Sequence, residues 1–166
     1  MNRISVTISL LLISFSSSAG NQLTKQNYEW YIKNYKYVNE VIESENIKEI
    51  VPVINTLGVM WHHKDGAIGK EISGAIAKAM IYHPKLIFSW FSKHPEQLNK
   101  WVEKIPYDLL TDYSGTEKRV KELNNLRTNL LVKLPNYIET ERDNELRNGA
   151  ISVLNKVKVT NVREID

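Results

Sequence analysis

The chain has 166 residues, no cysteine and a formal net charge of +3 at pH 7. The lack of cysteine excludes disulfide bonds, a thiol nucleophile and the cysteine-based zinc sites. Because 22 basic residues face 19 acidic ones without clustering, the positive charge is too small and too dispersed for a nucleic-acid surface. We therefore expect a protein that is stabilised by packing alone and has no nucleic-acid partner.

Residues 1–19 have the three parts of a secretory signal peptide. Arg3 supplies the basic start, Ile4 to Phe15 form the apolar stretch, and Ser17 and Ala19 are small residues before the expected cleavage site. The apolar stretch of about 12 residues is shorter than the roughly 20 that a membrane-spanning helix needs, so we expect no stable membrane insertion. We predict cleavage after Ala19 and a mature chain in the periplasm or outside the cell.

The mature chain, residues 20–166, has apolar residues at helical spacing almost throughout. Its breaks fall at proline and glycine, and no linker or low-complexity tract divides it. The pattern predicts a single all-α domain, either a compact bundle or a short array of helical hairpins, with about six to seven helices.

The first predicted helix covers residues 24–44 and is apolar on two faces. One face carries tyrosines, Tyr35 among them, and aliphatic residues typical of a core, whereas Trp30, Tyr37 and Val41 lie on nearly the opposite side. Such a helix is either packed between two others or presents its second face to a partner protein, since Trp and Tyr contribute much of the energy of protein interfaces. The sequence leaves both interpretations open.

Two further helices are predicted at residues 46–61 and 65–82. The first contains Pro52, which either kinks the helix or marks its true start. The second surrounds an isoleucine stripe with glycine, alanine and serine. Because small side chains let neighbouring helices approach closely, we expect residues 65–82 to form the central helix.

The dipeptide His-Pro occurs twice, at His83-Pro84 and His94-Pro95. Proline is favoured at the first position of a helix and pushes the preceding residue out of helical geometry. The pattern predicts two short helices, 85–92 and 95–104, the second ended by Pro106. Each contains a tryptophan that can anchor it, Trp90 and Trp101.

The rest of the chain predicts two longer helices. The sequence Ser114-Gly115-Thr116-Glu117 is a capping box that opens the first, which Pro135 is expected to end. Arg127 falls on the apolar face of this helix, which indicates an ion pair with a carboxylate or, alternatively, an anionic ligand pocket. The last helix is predicted at 139–156, and the tail 157–166 is either a short strand or ordered coil.

Few residues are candidates for chemistry. His62 and His63 are adjacent and point apart on a helix, whereas His83 and His94 meet only if the two short helices pack as a hairpin. Asp108 and Asp112 match in type the acidic pair of a glycosidase, but the same spacing is typical of a solvated helix end. We predict no catalytic residue, no metal site and no cofactor.

The sequence therefore favours a non-catalytic exported helical protein that binds another protein, such as an envelope inhibitor or an immunity protein that neutralises a toxin or effector enzyme. The alternatives are a small envelope hydrolase that uses Asp108 and Asp112 or a histidine-bound metal, and a factor associated with lipid or peptidoglycan. A homodimer is a further alternative for its assembly. The candidate partner-binding residues are Trp30, Tyr37, Val41, Trp90 and Trp101.

The signal-peptide prediction has a direct test. N-terminal sequencing of the protein purified from its native host should give Gly20 as the first residue, because the small residues at Ser17 and Ala19 fit a signal-peptidase site. A mature protein that still begins at Met1 would overturn the predicted localisation.

Overall fold

A computed structural model describes residues 25–63 and 66–165. The predicted signal peptide, residues 1–19, and the predicted helix starts at Thr24 and Asp65 lie outside the described residues. Among the helices that are described, none combines the length and the apolarity that crossing a membrane requires.

The described chain forms eight α-helices and almost no strand, which confirms the predicted all-α class. The α-helices are α1 (residues 25–33), α2 (Tyr35–Glu43), α3 (Ile47–His62), α4 (Gly66–Tyr82), α5 (Pro84–Ser92), α6 (Pro95–Lys104), α7 (Glu117–Thr140) and α8 (Asn144–Val159). A π-helix, Ile105–Leu109, follows α6 directly. Two short strands, β1 (Thr111–Asp112) and β2 (Arg163–Glu164), pair in parallel with Thr111 opposite Arg163.

The first predicted helix is in fact two, which accounts for the extra helix. Asn34 separates α1 from α2, and its side-chain amide donates to the carbonyl oxygen of Trp30 at 2.8 Å. An asparagine side chain that binds the backbone in this way competes with the regular helical hydrogen bonds. The chain therefore turns at Asn34 and resumes as α2.

The expected stop at Pro135 is wrong, because α7 continues through it to Thr140. Proline inside a helix costs about 3 kcal/mol. Leu134 is fully buried, and Tyr137 and Ile138 beyond the proline pack against the core. Since burying one large apolar side chain contributes about 1.5–3 kcal/mol, packing on both sides of Pro135 offsets the lost hydrogen bond.

The ends of α7 and α8 also differ from the prediction. The hydroxyl of Thr116, not that of Ser114, accepts the backbone N–H of Arg119 and caps α7. Asp143 caps α8 by accepting the N–H groups of Glu145 and Leu146. The last helix therefore begins after Asp143, later than residue 139, and the tail beyond it includes the short strand β2.

Arg127 was expected to pair with a carboxylate, but within residues 25–63 and 66–165 its guanidinium has no carboxylate partner. Its guanidinium donates to the carbonyl oxygens of Thr160 at 2.7 Å and Lys158 at 3.3 Å. These carbonyls lie at the C-terminal end of α8, where helical carbonyl groups lack partners and a positive charge is favourable. Arg127 thus joins α7 to the end of α8, so the anionic-pocket interpretation has no support at this position.

The central helix of the fold is α4, as the small residues predicted. It packs against α2, α3, α5, α7 and the π-helix. Its buried side chains face most directions around the helix axis. They are Ile72, Ser73, Ala75, Ile76, Ala77, Ala79 and Met80. One core therefore connects most elements of the described chain through this helix.

A second close approach joins α3 to α5. The indole of Trp90 lies so near Gly58 that a methyl group at Gly58 would overlap the ring. Gly74 in α4, by contrast, has no atom within 4 Å of the position that a methyl group would take. Two mid-helix glycines thus differ sharply in what a larger residue would meet.

We predict opposite effects for alanine at these two positions. Gly58→Ala should lower the free energy of unfolding by about 1–3 kcal/mol, because the Trp90 ring must move out of a packed position. Gly74→Ala should raise it by about 0.5–1 kcal/mol, because alanine is the better helix former and meets no neighbour. Urea denaturation followed by circular dichroism measures both, and equal effects would contradict the close packing of Trp90 on α3.

Candidate functional site

An open groove of about 940 Å³ lies between α2, α4 and the segment that runs from β1 into α7. Because α4 contacts both α2 and α7, its residues lie between the two walls. Gly74 and Ala75 of α4 both line the groove. The small side chains that let helices approach α4 elsewhere leave open space here.

Three tyrosines and three asparagines line the groove, together with charged side chains. Tyr35 is 52% exposed, Tyr82 48% and Tyr113 50%, so each ring keeps about half of its surface in solvent. The amides come from three positions on α2 and α7, namely Asn39, Asn125 and Asn129. The rings offer large contact area at little conformational cost, and the amides offer both donors and acceptors.

The groove carries more negative than positive groups. Its cations are Lys70, Lys78 and Arg119, and its carboxylates are Glu43, Glu71, Asp108, Asp112 and Glu122. Three cations against five carboxylates leave a formal charge of −2 in a chain whose total is +3. The groove is therefore locally acidic on a weakly basic protein.

Each cation of the groove is held by a neighbouring wall residue. Lys78 lies 2.9 Å from a carboxylate oxygen of Glu43, and Arg119 lies 3.2 Å from one of Glu122. The Lys70 ammonium lies 3.8 Å from the centre of the Tyr113 ring. Two of the three cations are thus paired with carboxylates of the wall, whereas Lys70 lies over an aromatic ring.

Asp112 organises the loop at one end of the groove. Its two carboxylate oxygens accept the N–H groups of Ser114 at 2.7 Å and Thr116 at 3.1 Å, and one of them also accepts the Ser114 hydroxyl. Between these residues Gly115 has a φ of +61°, a conformation that glycine adopts without strain. Asp112 therefore holds the tight turn that leads into α7.

The same hydrogen bonds favour the ionised form of Asp112. The N–H of Ser114 lowers the pKa of this carboxyl, helped by the Ser114 hydroxyl and the N–H of Thr116, although burial acts in the opposite direction. A carboxylate held ionised in this way is a poor general acid at neutral pH. Asp108 and Asp112 both line the groove, but Asp112 serves the loop and not proton transfer.

The structure separates the five predicted partner-binding residues into three groups. Trp30 and Tyr37 are exposed, at 38% and 44%, so they are available on the surface of α1 and α2. Trp90 is half-buried against α3. The prediction that Val41 and Trp101 contact a partner is wrong. Their side chains are only 4% and 1% exposed and lie in the core, where a partner cannot reach them.

The sequence analysis did not identify the tyrosines and asparagines of the groove as a common binding surface. They come from three helices and a loop that are far apart in the chain, so no local spacing connects them. Tyr35 was assigned to the core face of the first helix, but the turn at Asn34 leaves it exposed. The only indication of such a surface in the sequence was tyrosine itself, whose side chain is part apolar and part polar. Tyrosine is common both in cores and in binding surfaces, so it does not distinguish them.

The two His-Pro boundaries have the same backbone conformation but different surroundings. His83 has φ −134° and ψ 55°, and His94 has φ −140° and ψ 59°. The Nε2 atom of His83 is bonded to the Ile42 carbonyl oxygen at 2.9 Å. His94 instead lies near His62, with ring centres 5.9 Å apart, so the two histidines have different partners.

His62 belongs to a small titratable cluster at the end of α3. Burial lowers the pKa of His62, and His63, His94 and Lys100 act in the same direction, whereas Glu96 opposes them. The pKa of Glu96 is lowered mainly by its own backbone N–H, and also by the nearby Gln97 amide, His94 and His62. At neutral pH the cluster therefore presents a neutral imidazole at His62 beside a carboxylate.

Comparison with known proteins adds no functional information: no family model matches the chain, and neither does any curated protein or solved structure.

We predict that Asp112→Asn destabilises the protein at neutral pH, because an amide NH₂ replaces an oxygen that accepts backbone N–H groups. The folded-state pKa of Asp112 lies below the ordinary 3.8, so its stabilising effect is present above that pH and is lost as the pH falls through the lower value. The melting temperature of the variant should be lower than that of the native protein near pH 7, and the difference should vanish in strong acid. The control is Glu139→Gln, an exposed carboxylate on α7, which should change neither curve.

Proposed function

We propose that the protein is a non-catalytic binding protein that recognises another protein through the groove between α2, α4 and α7. The observation that carries the proposal is the lining of that groove, which includes three half-exposed tyrosines, three asparagines, Ser114 and Gly74. Tyrosine, serine, glycine and asparagine are the residues enriched in protein-recognition surfaces.

The charge of the groove favours a partner with basic side chains. Five carboxylates and three cations are found among the described lining residues, so the groove has an acidic excess. Lysine or arginine of a partner would meet complementary charge, which raises the association rate and disfavours acidic partners. Partner recognition should therefore weaken with salt.

The form of the hydrolase alternative that uses Asp108 and Asp112 loses its main support, since the carboxylate of Asp112 is committed to the backbone of its own loop. A binding protein of this size, with a predicted signal peptide, fits an inhibitor or an immunity protein that acts in the periplasm or outside the cell on a toxin or effector enzyme. This assignment rests on size, compartment and surface, and the identity of the partner follows only from its capture.

The test is capture with the purified mature chain as bait, followed by measurement of the affinity for the purified captured protein. In the groove variant, Tyr35, Tyr82 and Tyr113 are all replaced by serine. This variant should bind at least about a hundredfold more weakly, because aromatic residues at the centre of an interface often contribute 2 kcal/mol or more each. Its melting temperature should stay near that of the native chain, because the three rings are about half exposed.

The matched control replaces Trp30 and Tyr37 by serine. These two exposed rings form the surface that the sequence predicted, and they lie outside the groove lining. If this variant loses binding while the groove variant keeps it, the partner surface is the outer face of α1 and α2. If neither variant loses affinity, the groove proposal is wrong, and light scattering of the native chain then tests self-association.

A further inference from the structure

We propose that His62, His94 and Glu96 form a binding site for a divalent transition-metal ion such as Zn²⁺, with three protein ligands and a fourth position open to solvent. The proposal goes beyond the groove and does not depend on it, because none of these residues lines that surface. An experiment can therefore refute the metal site without refuting the groove as a protein-binding surface, and the reverse.

The geometry brings one donor atom from each residue into a small volume. The imidazole nitrogens of His62 and His94 and a carboxylate oxygen of Glu96 all lie within 4.8 Å of one another. Ligands of tetrahedral zinc, bound at about 2.0–2.1 Å, are separated by about 3.3 Å. His62 is exposed, so its imidazole has room to turn toward the other two donors.

The fold fixes where these three side chains can meet. His62 is the last residue of α3, whereas His94 directly precedes α6 and Glu96 lies in the first turn of that helix. Pro95 keeps His94 outside helical geometry. The His94-Pro95-Glu96 segment therefore presents an imidazole and a carboxylate together toward the end of α3.

Surrounding residues hold two of the three ligands in place. The Trp90 ring packs on His94 with centres 4.5 Å apart, and Trp90 is itself held against Gly58. The Gln97 amide lies 3.4 Å from a Glu96 carboxylate oxygen. Such supporting contacts orient metal ligands, and they are half of what makes a metal site specific.

The donor set decides the class of metal. Two imidazoles and one carboxylate suit Zn²⁺ and its neighbours in the first transition row, whereas Mg²⁺ and Ca²⁺ prefer oxygen donors alone. Three protein ligands with an open position are the arrangement of zinc sites that also bind a water molecule or an outside group. The exposure of His62 and Glu96 leaves that fourth position accessible.

The experiment titrates ZnCl₂ into the untagged chain, freed of metal by EDTA, in an isothermal titration calorimeter. We expect saturable binding of one ion per chain that excess MgCl₂ does not displace. His62→Ala and Glu96→Gln should each weaken the affinity for Zn²⁺ by more than about tenfold. Loss of a residue that only supports a ligand already lowers metal affinity by about that factor, and loss of a ligand lowers it further. Both changes are at exposed positions, so the variants should fold, which circular dichroism checks.

The matched control is His63→Ala, which removes an exposed imidazole that contacts the His62 ring, with centres 4.5 Å apart, but is not one of the three proposed ligands. This variant should keep the native affinity. As a second readout, Zn²⁺ should raise the melting temperature of the native chain and of His63→Ala, because an ion that binds only the folded state stabilises it by mass action. His62→Ala and Glu96→Gln should show no such rise.

Three results would overturn the proposal. The first is the absence of saturable Zn²⁺ binding to the native chain. The second is native affinity in both His62→Ala and Glu96→Gln. The third is an equal loss of affinity in His63→Ala and His62→Ala, which would show that the adjacent histidine pair binds zinc without Glu96 and His94.

Discussion

Close packing around α4 is the constraint on which the other elements depend. The helix contacts α2, α3, α5, α7 and the π-helix, and its buried alanine and serine side chains let several backbones approach one axis. Large residues there would separate the neighbouring helices and leave voids between them, and each buried methylene that loses its contacts costs roughly 1 kcal/mol. The chain has no cysteine to compensate, so its stability rests on this packing.

Much of this fold was predictable because its signals are local. The helical spacing of apolar residues, the small residues of α4 and the two His-Pro boundaries all act within one or two turns of the chain. The errors have a different origin. Pro135 was expected to end α7, but burial of Leu134 and the partial burial of Tyr137 retain the helix. A proline weakens a helix by a fixed local amount, whereas the energy that opposes it comes from tertiary contacts that the sequence does not display.

The candidate surfaces were less predictable for the same reason. Tyr35, Tyr82 and Tyr113 come from α2, α4 and the loop before α7, and they share a groove only because those elements pack on one another. The sequence assigned Tyr35 to a core face, but it is exposed, and it named Val41 and Trp101 as candidate partner-binding residues, but they are buried. Helical periodicity identifies two opposite faces, but it does not state which face meets a neighbour when both are apolar.

Trp90 contacts two parts of the molecule, the backbone of α3 at Gly58 and the ring of His94. Because residue 58 is a glycine, the indole lies directly on the α3 backbone, and this holds the end of α5 close to α3. His94 follows shortly after α5 and packs on the same ring, which brings it to His62 at the end of α3. The groove lies on other surfaces of α4, bounded by α2 and α7. A change in the Trp90 contact should therefore disturb the histidine cluster first, and it should affect the groove only through the general stability of the core.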